Sequence, residues 1–211
     1  MNLKKLKIAE ADFFNRYPGG FQNPDIMAIG KKHKMDAMTA FAQESFTKAA
    51  FKNSQKLLDN WIKLISRSSM ISLFEKPKFR DYAYSLSEMD RKTLVEGLKQ
   101  WLHGNAQKGF EQISKILQEA QLAKWSLITA CPAYFNPTHD VFIKPTTAKG
   151  VLSHFEVTTI IYHSTPTWAF YEAYKDLIIH MKTHVSPELS PSNAAFSGFL
   201  MMSLPQEKSL T

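Results

Sequence analysis

The segment from Asn136 to Thr147 contains the residues whose types and spacing best suit chemistry. It reads Asn-Pro-Thr-His-Asp-Val-Phe-Ile-Lys-Pro-Thr-Thr and places His139, Asp140 and Lys144 at the two ends of a short apolar run. A loop can present these side chains together to a small anion or phosphate, and a following helix N-terminus adds positive potential. Turn chemistry uses the same residues, with Asn-Pro as a turn and His-Asp as a local hydrogen-bonded pair. The segment therefore predicts either an anion or ligand site, including an enzyme site, or a purely structural loop.

A second candidate is a stripe of basic residues with helical spacing. Lys56, Lys63 and Arg67 are seven and four residues apart, so on a helix they fall within about 40° of one another. The opposite face of that helix is apolar and comprises Leu57, Leu58, Trp61, Ile62, Leu64 and Ile65. A row of cations can follow a phosphate backbone, because each neutralised phosphate releases condensed counterions. A solvated amphipathic face has the same pattern, and it is the simpler interpretation.

The charge distribution favours a polyanionic partner for the first half of the chain. Residues 1–110 hold 19 Lys and Arg against 11 Asp and Glu, whereas residues 111–211 hold 7 against 8. Residues 48–80 alone hold 8 basic and 2 acidic residues, and Lys48 and Lys52 extend the stripe if a helix continues through Asn53. Such an asymmetry suits nucleic acid, an anionic membrane or an acidic protein. No helix-turn-helix, zinc-finger or RNA-recognition motif accompanies it.

The remaining reactive side chains do not predict a metal or a cofactor. His180 and His184 have the spacing of a zinc helix, but the Glu of the metalloprotease motif and a third ligand are missing. Cys131 has apolar neighbours, which predicts an inert core thiol. It is the only cysteine, so no intramolecular disulfide can form, which fits a reducing compartment and predicts a cytoplasmic protein.

The apolar periodicity and the turn residues predict a mainly α protein of about eight or nine helices. Val141 to Ile143 and Val157 to Tyr162 have strand composition and predict at most one small β-hairpin or ribbon. We expect one domain over residues 1–211, with a soft lobe boundary near residue 122, where the basic N-terminal half meets a neutral, proline-rich half. The most apolar stretches are shorter than the roughly 18 residues that span a bilayer, so no transmembrane segment is expected.

Three functional hypotheses follow. The first is a non-enzymatic protein associated with nucleic acid through Lys56, Lys63 and Arg67. The second is a protein-interaction or assembly module, with a homo-oligomer as one form of it, that uses the aromatic and Met-rich segments Trp168 to Met181 and Phe196 to Met202. The third is an enzyme or anion-binding protein that uses the 136–147 segment.

Overall fold

The computed structural model describes residues 1–205, which form eleven α-helices. They are α1 Leu3–Arg16, α2 Pro24–Lys32, α3 Met35–Ser45, α4 Ser54–Arg67, α5 Glu75–Ser85, α6 Glu88–His103, α7 Ala106–Glu119, α8 Trp125–Phe135, α9 Pro145–His154, α10 Trp168–Lys182 and α11 Asn193–Ser203. Short 3₁₀ turns occupy Gly20–Gln22, Lys48–Lys52 and Pro187–Leu189. The mainly α prediction is confirmed, since residues 1–205 contain no strand.

Several helices begin where cap residues predict. The Asn23 side chain accepts a hydrogen bond from the Asp25 amide, with Pro24 at the first helical position of α2. Ser85, with Glu88 three residues later, has the spacing of a capping box and predicts a helix start, but Ser85 is the last residue of α5. Ser87 caps α6 instead and accepts from the Asp90 amide. Caps therefore locate helix ends to within a few residues.

The count of eight or nine helices was too low, and proline is the main reason. Pro77 lies in the first turn of α5, where its missing N–H needs no partner. Pro132 lies inside α8. All α8 residues from Trp125 to Tyr134 are buried, so this helix has no polar face and no amphipathic period to detect.

The predicted β-hairpin is wrong. Val141 and Ile143 are fully buried, but their segment is an unpaired connection between α8 and α9. Side chains satisfy its backbone: the Ile143 amide donates to Thr129 Oγ1 at 3.0 Å, and the Asp140 carbonyl accepts from Asn193 Nδ2 at 3.1 Å. Because these groups are satisfied from neighbouring helices, no partner strand is needed.

Helices α6 and α7 approach each other closely at two glycines. A Cβ atom at Gly109 would lie 2.3 Å from the Trp101 backbone nitrogen and 2.4 Å from the Gly97 carbonyl oxygen. Both distances are far below van der Waals contact, and both involve backbone atoms that cannot move independently. Only glycine at position 109 therefore permits this crossing of the two helices.

Apolar side chains from both halves of the chain share one contiguous core, which includes Phe13, Trp61, Ile128 and Phe199. The division near residue 122 does not interrupt it, because Leu122 is itself buried in that core. No helix within residues 1–205 is long and apolar enough to cross a bilayer. From Pro205 onward the sequence predicts a frayed tail. Residues 206–211 of that tail lie outside the described part of the chain.

Candidate nucleic-acid interface

Helix α4 presents its basic stripe to solvent. Lys56, Lys63 and Arg67 are all exposed, while the six apolar residues of the opposite face are buried. Asn53 starts the helix by accepting a hydrogen bond from the Lys56 amide at 2.9 Å. Burial of the apolar face fixes the rotation of α4 about its axis, and that rotation points the stripe outward.

The aromatic ring of Phe41, from α3, lies beside the stripe. Lys63 Nζ is 5.2 Å from the ring centroid and Arg67 Cζ is 5.8 Å from it. Both distances are within the range of a cation–π contact, so the ring holds the two cations next to each other. Phe41 is half-buried. Its sequence context, an apolar residue at helical spacing from Met38, predicts only that it lies on a helix. Its role depends on the packing of α3 against α4, which leaves no local signal in the sequence.

The basic segment 31–34, formed by the end of α2 and its link to α3, extends the cationic surface beyond Arg67. His33 Nδ1 and Ser69 Oγ form a 2.8 Å hydrogen bond, which ties the link to the residues that follow α4. Lys34 turns the chain with a left-handed φ of 53° and is exposed. We call Lys56, Lys63, Arg67, Phe41 and this segment the basic face.

The other basic residues of 48–80 do not belong to the same helix. Lys48 and Lys52 lie in a 3₁₀ turn. The backbone then becomes extended at Asn53, with φ −117° and ψ 93°, so the turn and α4 are not one continuous helix. The condition for extending the stripe, a helix that continues through Asn53, is therefore not met. Lys76, Lys78 and Arg80 lie on α5, where Arg80 pairs with Asp81 at 2.8 Å. The basic residues of 48–80 are thus divided among the 3₁₀ turn, α4 and α5.

No ion pair within residues 1–205 neutralises the three cations of the stripe. Asp59 is the acidic residue of α4, and its Oδ1 accepts a hydrogen bond from Gln55 at 3.1 Å. Burial and the neighbouring Asp59 carboxylate raise the pKa of Tyr84, on α5. On the α3 side, Asp36 and Glu44 are exposed and form no ion pair. The stripe therefore keeps an uncompensated positive charge.

The three candidate residues of the 136–147 segment do not lie together. Asp140 is buried, whereas His139 and Lys144 are exposed. His139 Nδ1 hydrogen-bonds with Thr138 Oγ1 at 3.0 Å, and Lys144 immediately precedes α9. The structure thus brings the Asp140 carboxylate into the core and leaves the two basic side chains at the surface.

Three donors surround the Asp140 carboxylate. Tyr171 Oη donates to Oδ1 at 2.6 Å, Trp101 Nε1 donates to Oδ1 at 3.2 Å, and Asn136 Nδ2 donates to Oδ2 at 3.1 Å. Burial raises the pKa of Tyr171 well above its ordinary value, and the neighbouring Asp140 charge raises that pKa further. Tyr171 therefore stays a hydrogen-bond donor. Asp140 links α6, α10 and the α8–α9 connection, as a structural carboxylate does.

The two histidines of α10 and its C-terminal turn lie together without a third ligand. The rings of His180 and His184 are 4.7 Å apart between centroids. Among residues 1–205 there is no group of three or more His, Cys, Asp or Glu side chains placed to hold a metal ion. A zinc site on this helix gains no support from the geometry.

Most aromatic and Met side chains of the C-terminal segments belong to the core. Tyr171, Tyr174 and Phe199 are buried, and burial raises the pKa of Tyr174. Trp168 is partly exposed, with Lys175 Nζ 5.9 Å from its ring centroid. These segments therefore offer little aromatic surface to a partner.

The Cys131 thiol should not react in the folded protein. It is fully buried, and burial, with the neighbouring Asp140 carboxylate, raises the pKa of the thiol well above its ordinary value. We expect a thiol reagent at about pH 8 to label it roughly a thousand-fold more slowly in the native protein than in denaturant. Mass spectrometry over time measures both rates, and comparable rates would show that Cys131 is accessible.

No family model, curated protein or solved structure matches this chain.

Proposed function

We propose that this protein binds nucleic acid through the phosphate backbone, using the basic face, and that it does so without catalysis. The observation that carries the proposal is the set of three exposed cations on one face of α4. None of them forms an ion pair within residues 1–205, and two lie over the ring of Phe41. Phosphate oxygens fit such a row, because Lys and Arg can contact successive phosphates and release counterions.

Shape and charge support binding without base-sequence recognition. The cations stand on the outer face of a helix whose other side is buried in the core. Contacts from these cations to phosphates carry no base-sequence information. Because single strands and duplexes both carry backbone phosphates, both should bind the basic face.

Removing three charges from the stripe should weaken binding. We expect the variant Lys56→Gln, Lys63→Gln, Arg67→Gln to bind a generic single strand or duplex about tenfold or more weakly at low salt. Fluorescence anisotropy with labelled DNA and RNA oligonucleotides measures the affinity. Circular dichroism and thermal unfolding establish that the variant is folded, which is expected because the changed side chains are exposed.

A second triple variant controls for net charge. Lys4→Gln, Lys108→Gln and Lys115→Gln remove the same number of charges from exposed, unpaired lysines of α1 and α7. This control should retain most of the wild-type affinity. Equal losses in the two variants, or no binding by the wild type at low salt, would refute a localised interface. Stronger binding of an acidic polypeptide than of either nucleic acid would instead assign the basic face to an acidic protein.

A further inference from the structure

We propose a second docking surface, at the N-terminal end of α8, that binds the surface of an anionic lipid bilayer. Two connections converge at this end: residues 68–74, between α4 and α5, and residues 155–167, between α9 and α10. Together they expose Leu73, Phe74 and Ile161, which we call the apolar tip.

Two hydrogen bonds bring the connections together. The Ser126 hydroxyl donates to Glu75 Oε2 at 2.8 Å, next to Phe74 in the chain. The indole N–H of Trp125 donates to the carbonyl oxygen of His163 at 2.8 Å, two residues from Ile161. Because Trp125 and Ser126 are adjacent in the first turn of α8, the three apolar side chains lie at one end of the molecule.

The exposure of the apolar tip is extreme for large apolar residues. Phe74, Leu73 and Ile161 have 82%, 77% and 73% of their surface accessible. Among residues 1–205, the other large apolar residue in this range is Met89, on α6, with 77% accessible. Single exposed apolar residues are common, but three on converging loops form a protrusion that favours an apolar medium.

Positive charge surrounds the tip. Lys124 and Lys149 are exposed, and Lys76 is half-buried. Lys149 Nζ lies 5.0 Å from the ring centroid of Tyr162, the neighbour of Ile161. Glu75, the acidic residue beside Phe74, accepts the hydrogen bond from Ser126 and so faces α8. An apolar tip with cations around it matches the two layers of an anionic bilayer surface, acyl chains below phosphate headgroups.

The apolar tip differs chemically from the basic face. Phe74 is the one aromatic residue of the tip, and its two companions Leu73 and Ile161 are aliphatic, a type that cannot stack on a base but inserts among acyl chains. Ser68 Oγ and Tyr134 Oη are 3.0 Å apart near the C-terminal end of α8, while Glu75 reaches its N-terminal end. Residues 68–75 therefore run along α8, and they separate the tip from the His33–Ser69 contact of the basic face.

Binding to vesicles tests this surface independently of nucleic-acid binding. We expect the full chain to co-sediment with phosphatidylcholine vesicles that contain about 30% phosphatidylserine, and to remain in solution with phosphatidylcholine alone. The variant Leu73→Ser, Phe74→Ser, Ile161→Ser should bind the anionic vesicles about tenfold or more weakly. The control Leu3→Ser, Ile8→Ser, Met89→Ser removes exposed apolar side chains elsewhere and should bind like the wild type.

A thiol-reactive, environment-sensitive fluorophore tests insertion. It is attached to the variant Phe74→Cys and, as the control, to Met89→Cys. Cys131 does not compete for the reagent, because it is buried. A blue shift on anionic vesicles at position 74 but not at 89 supports the proposal. Absence of vesicle binding, or equal losses in both serine variants, would overturn it. A shift with oligonucleotides and not with vesicles would assign the tip to nucleic acid. Concentration-dependent dimerisation that the tip variant abolishes would assign it to a second copy of the chain.

Discussion

Replacing Gly109 by alanine is expected to lower the free energy of unfolding by about 3 kcal/mol, which for a chain of this size corresponds to about 6 to 12 °C in Tm. The new Cβ would lie 2.3 Å from the Trp101 nitrogen and 2.4 Å from the Gly97 oxygen. Both are backbone atoms of α6, so no side-chain rotation can relieve the clash. The two helices must separate, and Trp101 and Ile113 lose packing as they do.

Two other glycines provide a graded control for this effect. At Gly97 an added Cβ would lie 3.0 Å from Ile113 Cγ1, 3.1 Å from Gln112 Cβ and 3.2 Å from the Gly109 carbonyl oxygen. These overlaps are smaller than those at Gly109, so the loss should be smaller. At Gly198, in α11, nothing lies within 4 Å, and alanine should raise stability by about 0.5 to 1 kcal/mol through helix propensity. Thermal and urea unfolding of the three variants should rank them Gly109, Gly97, Gly198 from most to least destabilised. Equal stability of the Gly109 and Gly198 variants would contradict the close α6–α7 crossing.

The second large effect is expected at Asp140. The change Asp140→Ala removes the acceptor from the hydroxyl of Tyr171, the indole of Trp101 and the amide of Asn136. A buried donor left without a partner costs about 1 to 3 kcal/mol. We therefore expect a loss of about 3 kcal/mol or more in unfolding free energy, measured by urea denaturation, and an altered near-ultraviolet circular dichroism spectrum.

Asparagine at position 140 separates the hydrogen bonds from the charge. Its amide oxygen can still accept from Tyr171 and Trp101, so Asp140→Asn should cost less than Asp140→Ala. Tyr171→Phe removes one donor and should cost about 1 kcal/mol. Asp140→Ala and Tyr171→Phe should not be additive, because both remove the hydrogen bond between these two side chains. Additive losses in the double variant would show that the 2.6 Å contact between the two side chains contributes nothing.

The basic stripe could be predicted from the sequence because its determinants are local. Helical spacing of the apolar residues sets the buried side of α4, and the cap at Asn53 sets its start. Exposure of Lys56, Lys63 and Arg67 then follows from geometry. The contact with Phe41 could not be predicted, because it depends on how α3 and α4 pack.

The sequence of the 136–147 segment is compatible with two structures, a ligand site and a structural loop. Proximity in sequence groups Asp140 with His139 and Lys144. Its hydrogen-bond partners Trp101 and Tyr171 are 39 and 31 residues away, so only the tertiary packing turns the carboxylate inward. The same dependence explains the missed α8 helix, in which burial on every side removes the periodicity that prediction relies on.

The most direct test of the proposed function is the salt dependence of duplex DNA binding by the wild type and by the α4 triple glutamine variant. The logarithm of the binding constant should fall linearly with the logarithm of salt concentration between about 50 and 200 mM. If Lys56, Lys63 and Arg67 each neutralise one phosphate, the slope of the variant should be smaller by about 2.7, at about 0.9 per contact. Identical slopes for the wild type and a folded variant would contradict binding through the basic face.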